Sequence, residues 1–309
     1  MSRVCFRRFG SLSTLPLSAA GMLLVLACLL CFSDGNAAPG KKQNQRIPAV
    51  PSGVRSLRDL EYVAGGHERN RLDLYLPEKA AGPLPVIVWV HGGGWNAGDK
   101  AQSPAIPFAA KGYAVASVNY RLSQDAIFPA QIQDCKAAVR WLRANAGKYG
   151  LDTNRFAAWG GSAGGHLVAL LGTAGAAKEL EGSGGNGDQS SRVQAVVDWY
   201  GPTDFLTIPE KSTRTQLLGG LPQQNKEKAA KASPVTYASK DCPPFLIMHG
   251  DKDNTVPFSQ SEELAEVLKK AGAEVTFLTV KDAGHGGPNF LKPETLRLVE
   301  DFLDKHLKR

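Results

Sequence analysis

Cysteine is scarce in this chain. There are five in 309 residues, and three of them, Cys5, Cys28 and Cys31, fall at the amino-terminal end. Cys28 and Cys31 have the spacing of a redox or zinc pair, but they sit inside an apolar targeting run, which excludes that reading. Cys135 and Cys242 remain, and whether they pair stays open because sequence spacing gives no distance in space. Blocks of basic residues are also lacking: the net charge of +7 is spread thinly, which argues for solubility and against nucleic-acid binding. At 43% hydrophobic and 21% charged residues, the composition excludes a disordered, collagenous or membrane-embedded chain.

The one long apolar run extends from about Leu15 to Phe32, short of the roughly 20 residues that a membrane span needs. Arg3, Arg7 and Arg8 precede it and Ser33-Asp34-Gly35-Asn36-Ala37-Ala38 follows it, the order of a secretory signal peptide. Residues 1–38 are therefore expected to be a cleaved leader and the protein to be secreted or periplasmic, with no stable membrane span afterwards. A retained anchor, a lipoprotein box at Val25-Leu26-Ala27-Cys28 and a twin-arginine signal at Arg7-Arg8 are the alternatives. Cleavage after Ala38 would leave 271 residues with a net charge of about +5, a size that suits one α/β domain. Residues 39–56 are polar and without period, as in a linker, so the folded domain is expected at 57–309.

Strand-like runs occur at about Asp59–Val63, Arg71–Leu76, Pro85–Val90, Tyr113–Val118, Phe156–Trp159, Gln194–Trp199, Pro244–His249 and Val275–Val280. Helical patterns fall at Pro104–Ala110, Pro129–Ala146, Ala163–Leu171, Ser259–Ala271 and Pro293–Leu307. The alternation predicts an α/β fold with about eight strands, mostly parallel. Val86-Ile87-Val88-Trp89-Val90 is apolar without alternation, as expected where helices cover both faces. The first two strands lie close together and suit an antiparallel hairpin. Gly172–Ser191 and Thr203–Ala238 break the rhythm and read as surface insertions. The formal G-x-G-x-x-G at Gly182, Gly184 and Gly187 follows no strand and opens no helix, which excludes a dinucleotide fingerprint.

The run Phe156-Ala157-Ala158-Trp159-Gly160-Gly161-Ser162-Ala163-Gly164 turns from a buried strand through G-x-S-x-G into a helix. Such an elbow holds a serine in strained backbone and exposes its hydroxyl, and Gly160, Gly164 and Gly165 supply the clearance the bend requires. Ser162 is the candidate nucleophile. His91-Gly92-Gly93-Gly94-Trp95 follows the third strand, and successive glycines let backbone N–H groups approach a substrate oxygen closely. Gly93 and Gly94, with the N–H of Ala163, form the candidate oxyanion hole. His91 is expected to fix the loop's shape by bonding backbone.

A general base should sit beyond the carboxyl edge of the sheet, and His285, in Lys281-Asp282-Ala283-Gly284-His285-Gly286-Gly287, meets that condition. His166 and His249 are expected to be packed or hydrogen-bonded instead. In His249-Gly250-Asp251-Lys252-Asp253-Asn254 two carboxylates compete as the orienting acid; Asp253 is preferred, with Asp251 bracing the loop. Chain order Ser162, Asp253, His285 differs from that of chymotrypsin-like and subtilisin-like proteases.

Together with Asn119-Tyr120-Arg121-Leu122 and Gly201-Pro202-Thr203-Asp204, these motifs resemble the α/β-hydrolase superfamily, in its His-Gly-Gly-Gly bacterial esterase branch related to hormone-sensitive lipase and feruloyl-esterase-like proteins. The resemblance covers most of the chain after Leu57. It implies the α/β-hydrolase fold with little or no cap, a catalytic domain over 57–309, and ester hydrolysis through an acyl-enzyme without metal or organic cofactor. The expected partner is a small-molecule or polysaccharide-linked ester, of short-chain, acetyl or hydroxycinnamoyl type. Trp95, Trp199 and Tyr200, with Phe205, follow strand ends and are candidate substrate-binding residues, whereas Trp89 and Trp159 are assigned to the core. A prolyl-oligopeptidase-like peptidase or amide hydrolase, a formamidase, and a non-catalytic binding module on the same fold are the rival readings. Oligomeric state is left open.

Overall fold

Strand β3 (Leu84–Val90) has every residue buried, and the structure, a computed structural model, shows why. The residues described are 49–308, so the leader expected at 1–38 and most of the linker lie outside the described residues. Within them, eight strands form one sheet in the order β1-β2-β4-β3-β5-β6-β7-β8. The others are β1 (Val54–Glu61), β2 (Arg71–Pro77), β4 (Ala114–Val118), β5 (Leu151–Gly161), β6 (Ala195–Trp199), β7 (Phe245–Gly250) and β8 (Val275–Val280). The β1–β2 and β2–β4 pairs are antiparallel and the rest are parallel.

Both faces of the sheet are covered, and the period of two along each strand sorts the side chains. Val86, Val88, Val90, Phe156 and Ala158 join one core, with α1 (Ala130–Ala144), α3 (Ala163–Thr173) and α6 (Ser259–Ala271). Ile87, Trp89, Ala157 and Trp159 join the other, with α7 (Pro293–Leu307) and the 3-10 turn at Ile106–Lys111. The segment expected as a helix at 104–110 is thus a 3-10 turn, as fits a piece with Pro107 inside it.

The linker boundary needs correction. Strand β1 starts at Val54, inside the stretch expected as linker, and Val54 is buried opposite Pro77. Charged residues and a bulge between Leu57 and Leu60, with Asp59 at φ 54°, hide its alternation. The segment after α3, expected as a surface insertion, is tied to α1 by ion pairs. The Lys136 ammonium, fully buried, donates to Glu181 Oε1 at 2.7 Å and to the Ala174 carbonyl at 2.9 Å. Arg140 donates to the other Glu181 oxygen at 2.7 Å. Insertion 203–238 contains α4 (Ser212–Leu218) and α5 (Lys226–Ala232) and buries Phe205, Leu217, Leu218, Ala229 and Ala232. Cys135 and Cys242 are both free and buried, which resolves their pairing.

Breaking a buried pair from one side leaves an uncompensated charge. Glu181→Gln should therefore lower unfolding stability by about 2–3 kcal/mol, the figure kept low because Glu181 is 32% exposed. Urea unfolding of the variant beside the parent measures this, and a loss below about 0.5 kcal/mol would show that Lys136 finds equivalent partners.

Candidate active site

The parallel strands end together: Val90 pairs with Gly160, Gly161 with Trp199, and Gly250 with Val280. Loops leaving β3, β5, β6, β7 and β8 therefore converge at one carboxyl edge, where open α/β sheets bind ligands.

At the end of β5, Ser162 has φ 58° and ψ −121°, a region that a side chain occupies only under constraint. Its N–H donates to the Trp199 carbonyl at 2.9 Å, and its carbonyl accepts from His166 N–H at 2.9 Å. Helix α3 comes so close to β3 that a Cβ on Gly164 would run into the Val90 carbonyl, and one on Gly165 into Asp198. Ser162 Oγ lies 2.7 Å from His285 Nε2, and His285 Nδ1 lies 2.7 Å from Asp253 Oδ2. An ionised carboxylate only accepts, so Nδ1 carries the proton and Nε2 is free to accept from the hydroxyl.

Burial pushes the Asp253 carboxyl up, but hydrogen bonds from His249, His285, and the N–H groups of Thr255 and Val256 outweigh it and hold the group well below the usual carboxylate range. Asp251 instead accepts from the Asp282 N–H at 2.8 Å, bracing the loop. The structure thus brings together the three residues expected from sequence.

Gly93 and Gly94 have φ of 110° and 60°, and neither N–H donates to another described residue. Ala163 is the first residue of α3, immediately after Ser162. His91 shapes this loop: its ring stacks on Tyr120 at 4.5 Å, and its nitrogens face Gly92 O at 2.7 Å and the Arg69 guanidinium at 3.2 Å. Since a carbonyl only accepts and a guanidinium only donates, His91 is the neutral Nδ1–H tautomer. Burial lowers its pKa to about 4.

Trp95 and Trp199 are not where a pocket would use them. Trp95 is buried, and its indole N–H donates to His166 Nδ1 at 3.1 Å while the ring packs on His166 and Phe205. A φ of 60° turns its side chain inward. Trp199 is buried against Trp159 and Trp89 because it continues the face of β6 that holds Ala195 and Val197. Phe205 is fully buried as well. Tyr200 differs: it is partly exposed, its ring centroid lies 4.9 Å from that of His285, and its hydroxyl abuts Gly161 and Gly286. Burial, with the nearby Asp253 and Asp198, pushes its phenol well above the ordinary value.

Two further contributors shape the site, and His166 is hydrogen-bonded as expected. His166 joins three elements, accepting from Trp95 and donating from Nε2 to the Ala232 carbonyl at 2.7 Å; burial lowers its pKa to about 4. Insertion 203–238 also borders the glycine loop, with Asn96 donating to Gln216 at 3.1 Å and Thr213 against Gly94. Among the described residues no group of three or more His, Cys, Asp or Glu could hold a metal ion.

Fold and site together define an α/β-hydrolase. The BD-FAE family model matches residues 72–268, and the chain belongs to that family. Esterase LipC of Mycobacterium tuberculosis is 35% identical over 260 residues, covering 78% of this chain and 64% of LipC; the chain thus spans just under two thirds of that relative. Among solved structures, a truncated carbohydrate esterase from gut microbiota is 34% identical with a TM-score of 0.81, over 85% of this chain and 99% of that one. Esterase 2 of the planctomycete Thermogutta terrifontis is 29% identical with a TM-score of 0.68, over 84% and 94%.

The buried histidines make stability depend on pH. His91 and His166, at about 4 in the fold against about 6.5 unfolded, each gain a proton on unfolding between those values. Asp198, raised by burial to about 6, is protonated in the fold over much of the same window and offsets one of them. The net uptake of about one proton means that stability falls as pH drops from 6.5 towards 4, by about 1.4 kcal/mol per unit. Urea midpoints at pH 6.5, 5.5 and 4.5 test this; a flat or rising series would contradict it.

Proposed function

We propose that this chain is a serine carboxylic ester hydrolase acting through an acyl-enzyme on short-chain, acetyl or hydroxycinnamoyl esters, including esters carried on carbohydrate. The observation that carries the reading is the unbroken chain Ser162 Oγ–His285 Nε2 and His285 Nδ1–Asp253 Oδ2, each link 2.7 Å long, beneath a glycine loop with unused donors. The names of the relatives, esterases and a carbohydrate esterase, support it.

In this reading Ser162 Oγ attacks the ester carbonyl carbon as His285 Nε2 takes its proton, and Asp253 stabilises the imidazolium at Nδ1. The N–H groups of Gly93, Gly94 and Ala163 receive the charge that appears on the carbonyl oxygen, where loss of a single donor costs about 10²–10³ in rate. His285 returns the proton to the departing alcohol. Water then attacks the acyl-enzyme with His285 again as base, freeing the acid and Ser162. Tyr200, beside His285, lines the approach to the serine. Residues 1–38 act as a leader that sends the domain, joined by a short linker, to the periplasm or outside the cell.

Hydrolysis of p-nitrophenyl acetate, butyrate and octanoate and of methyl ferulate tests the reading. The parent should turn over acetate, butyrate or ferulate, and Ser162→Ala should lose at least about 10³-fold in kcat. Turnover of long-chain esters alone would overturn the substrate class. A folded parent inert on all four but active on peptide amides would replace the esterase with a peptidase.

A further inference from the structure

We propose that His249 is a positioning residue for this reaction: its Nε2–H, donated to the same Asp253 oxygen that faces His285, sets how strongly Asp253 holds the His285 imidazolium. The inference rests on the esterase reading above.

His249 lies in β7, four residues before Asp253, and its side chain is fully buried. Its Nε2 is 3.1 Å from Asp253 Oδ2 and 3.1 Å from the Val256 carbonyl. Both of those atoms accept, so Nε2 bears the hydrogen. The opposite nitrogen, Nδ1, is then an acceptor, and Ser261 Oγ stands 2.7 Å from it. The result is a mirrored chain about one carboxylate: Ser162, His285, Asp253, His249, Ser261. Only the first half reaches solvent. His285 is 20% exposed, while His249 and Ser261 are sealed beneath the loop and the start of α6.

Asp253 Oδ2 therefore divides its charge between two imidazole N–H groups, while Oδ1 is held by the N–H groups of Thr255 and Val256 at 2.7 and 3.0 Å. A carboxylate that loses a neutral donor becomes more basic. With His249 removed, Asp253 would concentrate on His285 and favour its protonated form, so that the free base needed to activate Ser162 would appear only at higher pH. The other groups facing the pair are few. Tyr200 lies with its ring 6.5 Å from that of His249 and 4.9 Å from that of His285, Asp198 acts on His249 from β6, and Phe258, just before α6, packs on it without charge. None of these donates to Asp253.

The test is the pH profile of kcat/KM for p-nitrophenyl acetate in the parent and in His249→Leu, His249→Gln and Ser261→Ala, with Ser162→Ala as control. His249→Leu should move the acid limb upward by about half a pH unit and lower kcat with little change in KM. His249→Gln, whose amide N–H can reach the same oxygen, should restore the limb. Ser261→Ala should move it in the same direction by less. A folded His249→Leu enzyme with the parent's limb, or Leu and Gln variants that behave alike, overturns the proposal, because a purely structural histidine would cost rate and stability without moving the limb. If His249→Leu does not fold, Ser261→Ala decides, and an unmoved limb overturns it. A parent without Ser162-dependent ester turnover overturns the esterase reading as well; Ser162-dependent turnover with an unmoved limb overturns the positioning role alone.

Discussion

The bend at Ser162 constrains everything around it. A non-glycine residue at φ 58° and ψ −121° stores about 1–3 kcal/mol of strain and persists only where its surroundings over-determine it. Here the backbone N–H and carbonyl of Ser162 are both tied, to Trp199 and His166. Around them the contacts are too close for any side chain: Gly164 against Val90, Gly165 and Gly201 against Asp198, Gly92 against Gly161. Those approaches seat α3 directly on the ends of β3 and β6. They set the height of the serine hydroxyl above the sheet edge, and the loops bearing His285 and Asp253 need only meet it.

The same edge sorts four histidines by the atoms that face them. His91 and His166 each meet one pure donor and one carbonyl acceptor, an arrangement that satisfies a neutral ring and, with burial, disfavours a second proton. They act as rigid spacers, one shaping the glycine loop and the other joining Trp95 to Ala232. His285 and His249 meet a carboxylate instead. Of those two only His285 also meets a hydroxyl on a strained turn, in partial contact with solvent. The chemistry of each ring thus follows from partner and burial, since the side chain itself is the same in all four.

Much of this was legible along the chain because each functional piece is local. G-x-S-x-G, the triple glycine after His91 and the carboxylate pair after His249 are contiguous runs whose backbone requirements are visible residue by residue. Asp253 could be preferred over Asp251 because reach along a loop is counted in residues. Strand alternation with helices predicted the sheet, and Ser259–Ala271 and Pro293–Leu307 have the expected bounds. What depends on direction in space was hidden. Trp95 follows a strand end as a pocket residue would, but its positive φ turns it into the core. Trp199 shares the face of Val197 and Ala195, and the period of two along β6 carries it into the same core. The pairing of His249 with Asp253 required knowing how the loop after β7 folds back, and Ser261 lies in a helix whose pattern gives no hint of it.

Insertion 203–238 braces the site from outside the Ser162–His285–Asp253 chain. It supplies no member of the Ser162–His285–Asp253 chain, yet it touches the glycine loop through Thr213 and Gln216 and holds His166 through the Ala232 carbonyl. Its own anchorage is deep, with Thr203 and Asp204 N–H groups both donating to Gln260 Oε1 of α6 at 2.9 Å. Fixed at its base and in contact with the glycine loop at α4, the segment holds that loop in place without touching the hydrogen bonds that join Ser162, His285 and Asp253. The strained turn at Ser162 is thereby supported from two directions, by the close glycine approaches beneath it and by the insertion through His166 and the glycine loop.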